Sequence, residues 1–350
     1  MAAESVVKYC RDLPKVELHA HLNTSFSPES LQALVQRKAA TNKDCLDWKM
    51  TIEDFREMDH SFNVFKLIHK VVDDEEAVYQ LTCAVIREFA ADNVKYLELR
   101  STPKDIPSTG MTRELYVQTM IRAIHDCQTE NLDITVYLLL SIDRRNGVEI
   151  AQKTVDLAEK FSKQPDSVVV GIDFSGDPAV GDAADYIAVF QSAKQKGLKV
   201  AAHLAELANF RETLAVLRQA PPDRIGHGTF LHRYDPGQGH EEIEDIVLDK
   251  RIPIEACLTS NLKTKTVTTL SEHHFNFWFQ KNHPVVICTD GKGVFTSTLS
   301  EEYAHAAGTF NFSKKDLWDL SLAAIDVIFA PDTVKQKLRE QWKQAYPQVV

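Results

Sequence analysis

The chain has 350 residues, a formal net charge of −10 and a pI near 5.7. That acidic balance argues against a broad nucleic-acid footprint, although a few local cations and backbone N–H groups can still hold one small phosphate. No apolar run approaches the roughly 18 residues of a membrane span, and residues 1–11 lack the apolar core of a secretory signal, so a cytoplasmic protein is expected.

Eight short β-rich runs follow one another: 16–21, 94–102, 134–143, 168–176, 198–206, 224–228, 252–261 and 285–290. Most are continuous apolar runs, the pattern of parallel strands covered on both faces. Helical patterns over 112–129, 148–161, 181–196 and 240–248 separate several of them. This alternation predicts an α/β fold, a (β/α)8 TIM-type barrel. Residues 27–92 are too long for one crossover and are expected to form a helical insertion. It starts at Ser27-Pro28-Glu29 and includes helices over 54–70 and 74–91. Three extra helices are expected after the eighth strand, with a capping box at Ser313 and Asp316 and Pro331 near the last start. One domain over 1–350 is expected, and nothing in the pattern demands more than a monomer. The six cysteines form no C-x-x-C pair and read as reduced thiols.

The chemistry-bearing residues gather at the predicted strand ends, where barrel enzymes keep their sites. His19 and His21 share a strand face at i and i+2. His203 ends the fifth strand with Glu206 close behind, His227 ends the sixth, and Asp290 the eighth. Each alone could be a cap or a surface pair; together they read as a metal site. Imidazole and carboxylate donors suit Zn2+, with iron or manganese less favoured. Zinc lowers the pKa of a bound water toward neutrality.

Residues 13–23 (LPKVELHAHLN), 171–177 (GIDFSGD), 203–206 (HLAE), 224–228 (RIGHG) and 258–261 (LTSN) together resemble the adenosine deaminase family, in order along about 13–345. Residues 96–103 (YLELRSTP) and 292–295 (KGVF) are similar to its adenosine deaminase-like branch, which acts on N6-methyl-AMP and related N6-substituted purine monophosphates. The resemblance implies one zinc held by His19, His21, His203 and Asp290. It implies that Glu206 protonates ring N1, that His227 serves as base or electrostatic partner, and that the Gly176 backbone contacts ring N3. It implies nucleotide contacts from His21, Asn23, His69, Ser101, Thr102, Pro103, Lys104 and Asp143. The expected activity is zinc-dependent deamination of N6-methyl-AMP to IMP and methylamine, with a small purine nucleotide as the only partner. A deaminase of free adenosine and a zinc-stabilised nucleotide binder with impaired turnover remain the alternatives.

Some local readings stay open. Arg100 has the parity of Glu98, so a buried Arg–Glu pair rivals a phosphate role; Arg144 and Arg145 read as surface charges; Glu206 could open a helix after the fifth strand. Two residues depart from the family pattern: Gly291 stands where Asp is usual, and Thr24 where Gly is usual. The missing carboxylate predicts weaker ring binding, and Gly291→Asp is expected to raise the rate.

Overall fold

The computed structural model describes residues 3–41, 67–68, 70–232 and 240–349. Eight parallel strands run in sequence order: β1 Lys15–His21, β2 Val94–Ser101, β3 Thr135–Asp143, β4 Val169–Ser175, β5 Lys199–Leu204, β6 Arg224–His227, β7 Ile254–Ala256 and β8 Val285–Ile287. Each pairs with the next. The ring closes beyond β8, where Asp290 bridges to Ala20; His21 N donates to the Asp290 carbonyl at 2.9 Å, and Asp290 N to that of His19 at 2.8 Å. This is the predicted TIM-type barrel. Its strands are apolar runs because helices cover them outside and packed side chains fill them inside.

The surrounding helices include α1 (Ala3–Asp12), α2 (Pro28–Thr41), α3 (Glu75–Ala91), α4 (Arg113–Thr129), α5 (Gly147–Ser162), α6 (Ile187–Gln195), α7 (Phe210–Gln219) and α8 (His240–Asp249). Within the insertion, α2 and α3 form at the expected places. The Asp74 carboxylate caps α3 through Ala77 N at 2.8 Å and ties it to α2 through Arg37 at 2.8 Å. The expected helix over 54–70 lies mostly outside the described residues. After β8 come α11 (Leu299–Phe310), α12 (Lys314–Ala324) and α13 (Asp332–Val349), the three extra helices. Ser313 and Asp316 make the predicted capping box, and Pro331 directly precedes α13.

Three boundaries differ from expectation. The seventh strand stops at Ala256, and α9 (Leu258–Lys263) occupies the rest of its apolar run, followed by α10 (Phe275–Gln280). A short apolar run does not by itself distinguish strand from buried helix. The 181–196 region divides into a 3-10 turn at Ala183–Tyr186 and then α6. The chain after β5 does not enter a helix until Phe210, so Glu206 lies in a loop.

Candidate active site

Three strand exits re-aim the chain through left-handed backbone at residues other than glycine: Ala205 (φ 56°), His227 (φ 61°) and Asp290 (φ 63°). Such conformations are costly and persist where the surroundings over-determine them. At His227 the surroundings are visible: buried His274 contacts the His227 carbonyl through Nε2 at 2.7 Å. Ser260 Oγ donates to Asp290 Oδ2 at 2.7 Å.

The consequence is a convergence of side chains at the barrel mouth. Ligand atoms of His19, His21 and His203 lie within 4.8 Å of one another, as do those of His19, His227 and Asp290. His21 Nε2 and His203 Nε2 are 3.1 Å apart, and Asp290 Oδ1 lies 3.5 Å from His21 Nε2 and 3.8 Å from His19 Nε2. His227 Nε2 stands 3.7 Å from Glu206 Oε2 and 3.9 Å from Asp290 Oδ2. Gly226 makes the imidazole cluster possible, since a Cβ there would lie 2.9 Å from His19 Cε1 and 3.3 Å from His203 Nδ1.

Beneath the mouth lies a buried polar layer. His19 Nδ1 meets Glu255 Oε2 at 2.7 Å, and His203 Nδ1 meets Asp173 Oδ1 at 3.1 Å. Arg100 joins the two carboxylates, to Asp173 at 2.9 Å and Glu255 at 2.8 Å. Arg224 binds Glu255 at 2.7 Å and also pairs with Glu98. Glu17 ties β1 to the segment after β8, accepting from His19 N at 2.8 Å and from Thr289 N at 2.9 Å.

The charge states follow from burial and these partners. Burial, with Arg100 adding to it, holds His19 well below the usual imidazole range. Burial lowers His21 to about 4 against the pull of Asp290. Burial also opposes charge on His203, but Asp173 outweighs it and lifts the group to about 9. Burial raises Glu17 to about 8 despite its hydrogen bonds.

The group fits a cation of zinc's type. With His19 neutral and Nδ1 engaged by Glu255, its Nε2 is a buried atom with no hydrogen-bond partner, turned into the cluster. Ligands about 2.0–2.1 Å from a tetrahedral zinc stand roughly 3.3 Å apart, close to the 3.1 Å between His21 and His203 nitrogens. Carboxylates behind ligand histidines are the usual orienting arrangement at such sites.

The other expected contacts form two groups on neighbouring strand ends. Asn23 Nδ2 reaches Ser101 Oγ at 3.5 Å and Tyr116 OH at 3.4 Å. Asp143 pairs with Arg145 at 2.5 Å, and a Cβ on Gly176 (φ 106°) would lie 2.5 Å from Asp143 Oδ1. Lys104 feels the charges of both Asp143 and Arg145. Thr102 and Pro103 continue the chain from Ser101 to Lys104; His69 lies outside the described residues.

Several residues behave differently from their sequence reading. Arg100 and Glu98 are both buried, but they bind other partners instead of each other. Arg144 is buried too, paired with Glu212 at 3.0 Å, instead of being a surface charge. For Asp173, Glu255, Arg224 and Glu17 the local signal is a charge inside an apolar strand, as in Ile254-Glu255-Ala256; His274, on no strand, carries none.

The model of the family described as Adenosine deaminase matches residues 14–345. A relative named N6-Methyl-AMP deaminase from Danio rerio is 47% identical over 342 residues, covering 98% of both chains. The apo structure of the N6-methyl-AMP deaminase from Arabidopsis thaliana superposes with a TM-score of 0.87 at 37% identity, covering 98% of this chain and 99% of that one. Arabidopsis ADAL complexed with IMP gives a TM-score of 0.85 at 36% identity, covering 98% and 100%. With the barrel, the cluster at its mouth and the match along nearly the whole chain, this protein belongs to the adenosine deaminase family.

Proposed function

We propose that this chain is a zinc-dependent deaminase of N6-substituted adenosine monophosphates, converting N6-methyl-AMP to IMP and methylamine. The observation that carries the reading is that His19, His21, His203 and Asp290 meet at the barrel mouth, the ligand atoms of the three histidines within 4.8 Å of one another and those of Asp290, His19 and His227 likewise, with Glu206 beside His227. We assign the first four as ligands of one Zn2+. Bound there, zinc would lower the pKa of a water toward neutrality. The chain's own groups would do the rest. Glu206 donates a proton to ring N1, relieving the negative charge that builds as water adds to C6. His227, with its backbone anchored by His274, would take the proton that the water gives up as it adds to C6 and pass it to the departing amine. The Gly176 backbone, beside Asp143, meets the ring edge at N3.

The monophosphate preference is supported by Ser101 to Lys104 at the end of β2 and by the relatives named for N6-methyl-AMP. We assign Asn23, His69, Ser101, Thr102, Pro103, Lys104 and Asp143 to nucleotide binding. Phosphate anchoring supplies binding energy remote from C6 that can orient the ring. The decisive measurement is a substrate panel at matched concentrations. N6-methyl-AMP is expected to give the highest kcat/KM; an equal value for adenosine would make the protein a nucleoside deaminase.

A further inference from the structure

Thr24 and Gly291 face each other across the seam where the barrel closes. Thr24 ends the 3-10 turn Leu22–Thr24 that follows β1, and Gly291 follows Asp290, whose bridge to Ala20 completes the ring. The two backbones are fixed relative to each other. The Thr24 carbonyl accepts from Gly293 N at 2.9 Å and Val294 N at 3.1 Å, and Phe295 N donates to the Gly291 carbonyl at 2.8 Å. Thr24 Oγ1 donates to the His21 carbonyl at 3.2 Å.

A Cβ on residue 291 would lie 2.7 Å from Thr24 Oγ1 and 2.8 Å from Thr24 Cβ. Rotation about χ1 can carry the hydroxyl away, but the backbone sets the position of Cβ. Residue 291 lies outside the left-handed region, so space and not conformation bars a side chain. Were residue 24 a glycine, the nearest contact would be its carbonyl oxygen at 3.4 Å, an ordinary approach. The seam therefore takes one side chain, from residue 24 or from residue 291. Gly291→Asp alone would have to displace the Thr24 side chain before its carboxylate could act, so its gain in rate is expected with Thr24→Gly in the same chain.

We propose that Thr24 and Gly291 form one specificity-determining element beside the reacting carbon, a neutral wall suited to purines whose 6-amino group is alkylated. The proposal rests on the deaminase reading above. Its position supports it: Gly291 adjoins Asp290, and Thr24 is bonded back onto His21, both members of the cluster. A hydroxyl and methyl wall makes no demand for an N–H on the substrate. A carboxylate in the same seam would be satisfied by an amino N–H but would face an alkyl group desolvated and unpaired. AMP offers two such N–H bonds, N6-methyl-AMP one, and N6,N6-dimethyl-AMP none.

The test is a cycle of the parent, Thr24→Gly, Gly291→Asp and the double variant, all zinc-loaded. Melting temperature reads the packing. Gly291→Asp alone is expected to lower Tm by about 2–6 °C, as overpacking does, and Thr24→Gly in the same chain to recover most of that loss. Substrate preference reads the wall. In the double variant, kcat/KM for N6-methyl-AMP relative to N6,N6-dimethyl-AMP should rise by about 10-fold or more over the parent ratio. Additive Tm changes would overturn the pairing, and coupled Tm changes with an unchanged ratio would overturn the role in specificity. If the parent turns over neither nucleotide, the deaminase reading has failed separately. The same ratio is then taken from calorimetric Kd values for the two nucleotides, and an unchanged Kd ratio overturns the proposal.

Discussion

At the scale of single residues, Glu206 stands apart from the imidazole and carboxylate atoms that gather at the barrel mouth. Glu206 lies 3.7 Å from His227 and is not among the atoms that converge on the metal position. Glu206→Gln keeps the shape but has no proton to give N1. We expect it to retain zinc and to lose about 10²- to 10⁴-fold in kcat, the scale of a lost general acid; paired zinc analysis and steady-state rates check this, and an unaltered kcat would assign the proton to another group. Lys104 carries a pH signature. Burial lowers its pKa to about 8, against the opposing pull of Asp143. Its positive charge is therefore present below that pH in the free protein and lost above it. A phosphate monoester stays dianionic through this range. Affinity for AMP should be level from pH 7 toward 8 and then weaken as pH rises, whereas Lys104→Met should give a weaker but flatter profile. Calorimetry across pH 7–10 (an interval on the order of the reference lysine range) distinguishes the two.

At the scale of elements, the strands contribute alternate residues to the interior, and the charges among them are paired across the barrel. Arg100 on β2 spans Asp173 on β4 and Glu255 on β7, which in turn hold His203 and His19. Arg100 draws both carboxylates below their usual range although burial works the other way. Removing it would leave Asp173 with only His203 and Glu255 with Arg224 and His19. Arg100→Ala is expected to cost about 3–5 kcal/mol of stability, the scale for breaking a buried pair. Denaturant unfolding of the parent and the variant measures it, and a cost below about 1 kcal/mol would mean that the layer behaves like a surface pair. The short β7 and β8 belong to the same logic. Each ends early so that the chain can turn: β7 leads into α9, which brings Ser260 to Asp290, and the segment after β8 brings Asp290 across to β1.

At the scale of the whole molecule, the cluster draws on β1 and the exits of β5, β6 and β8, so an ion bound there would be linked to the folded barrel. We expect about one zinc per chain by elemental analysis, and a lower Tm once a chelator has removed it. At free zinc 100 times its Kd the linkage is worth roughly 2.7 kcal/mol. His19→Ala should lower both zinc content and Tm, and a fully loaded, fully active His19→Ala protein would overturn its assignment as a ligand. Much of this was legible in the chain itself. Parallel strands buried on both faces must be apolar runs, and helices between them must alternate with those runs, so strand number and barrel class could be read locally. The H-x-H pair could also be read locally, because alternate residues of a strand share a face. Other features depended on contacts between distant segments. Leu258–Lys263 became helix where the apolar pattern also allowed strand. Glu206 reached His227 through the left-handed turn at Ala205, which periodicity does not encode. Arg100 found its partners on β4 and β7, which local parity could not name. Thr24 and Gly291, 267 positions apart by their numbers (291 − 24), proved to share one space. Periodicity reports which face of an element a residue occupies; only the closed barrel decides what stands opposite, because the space there is defined by both backbones together.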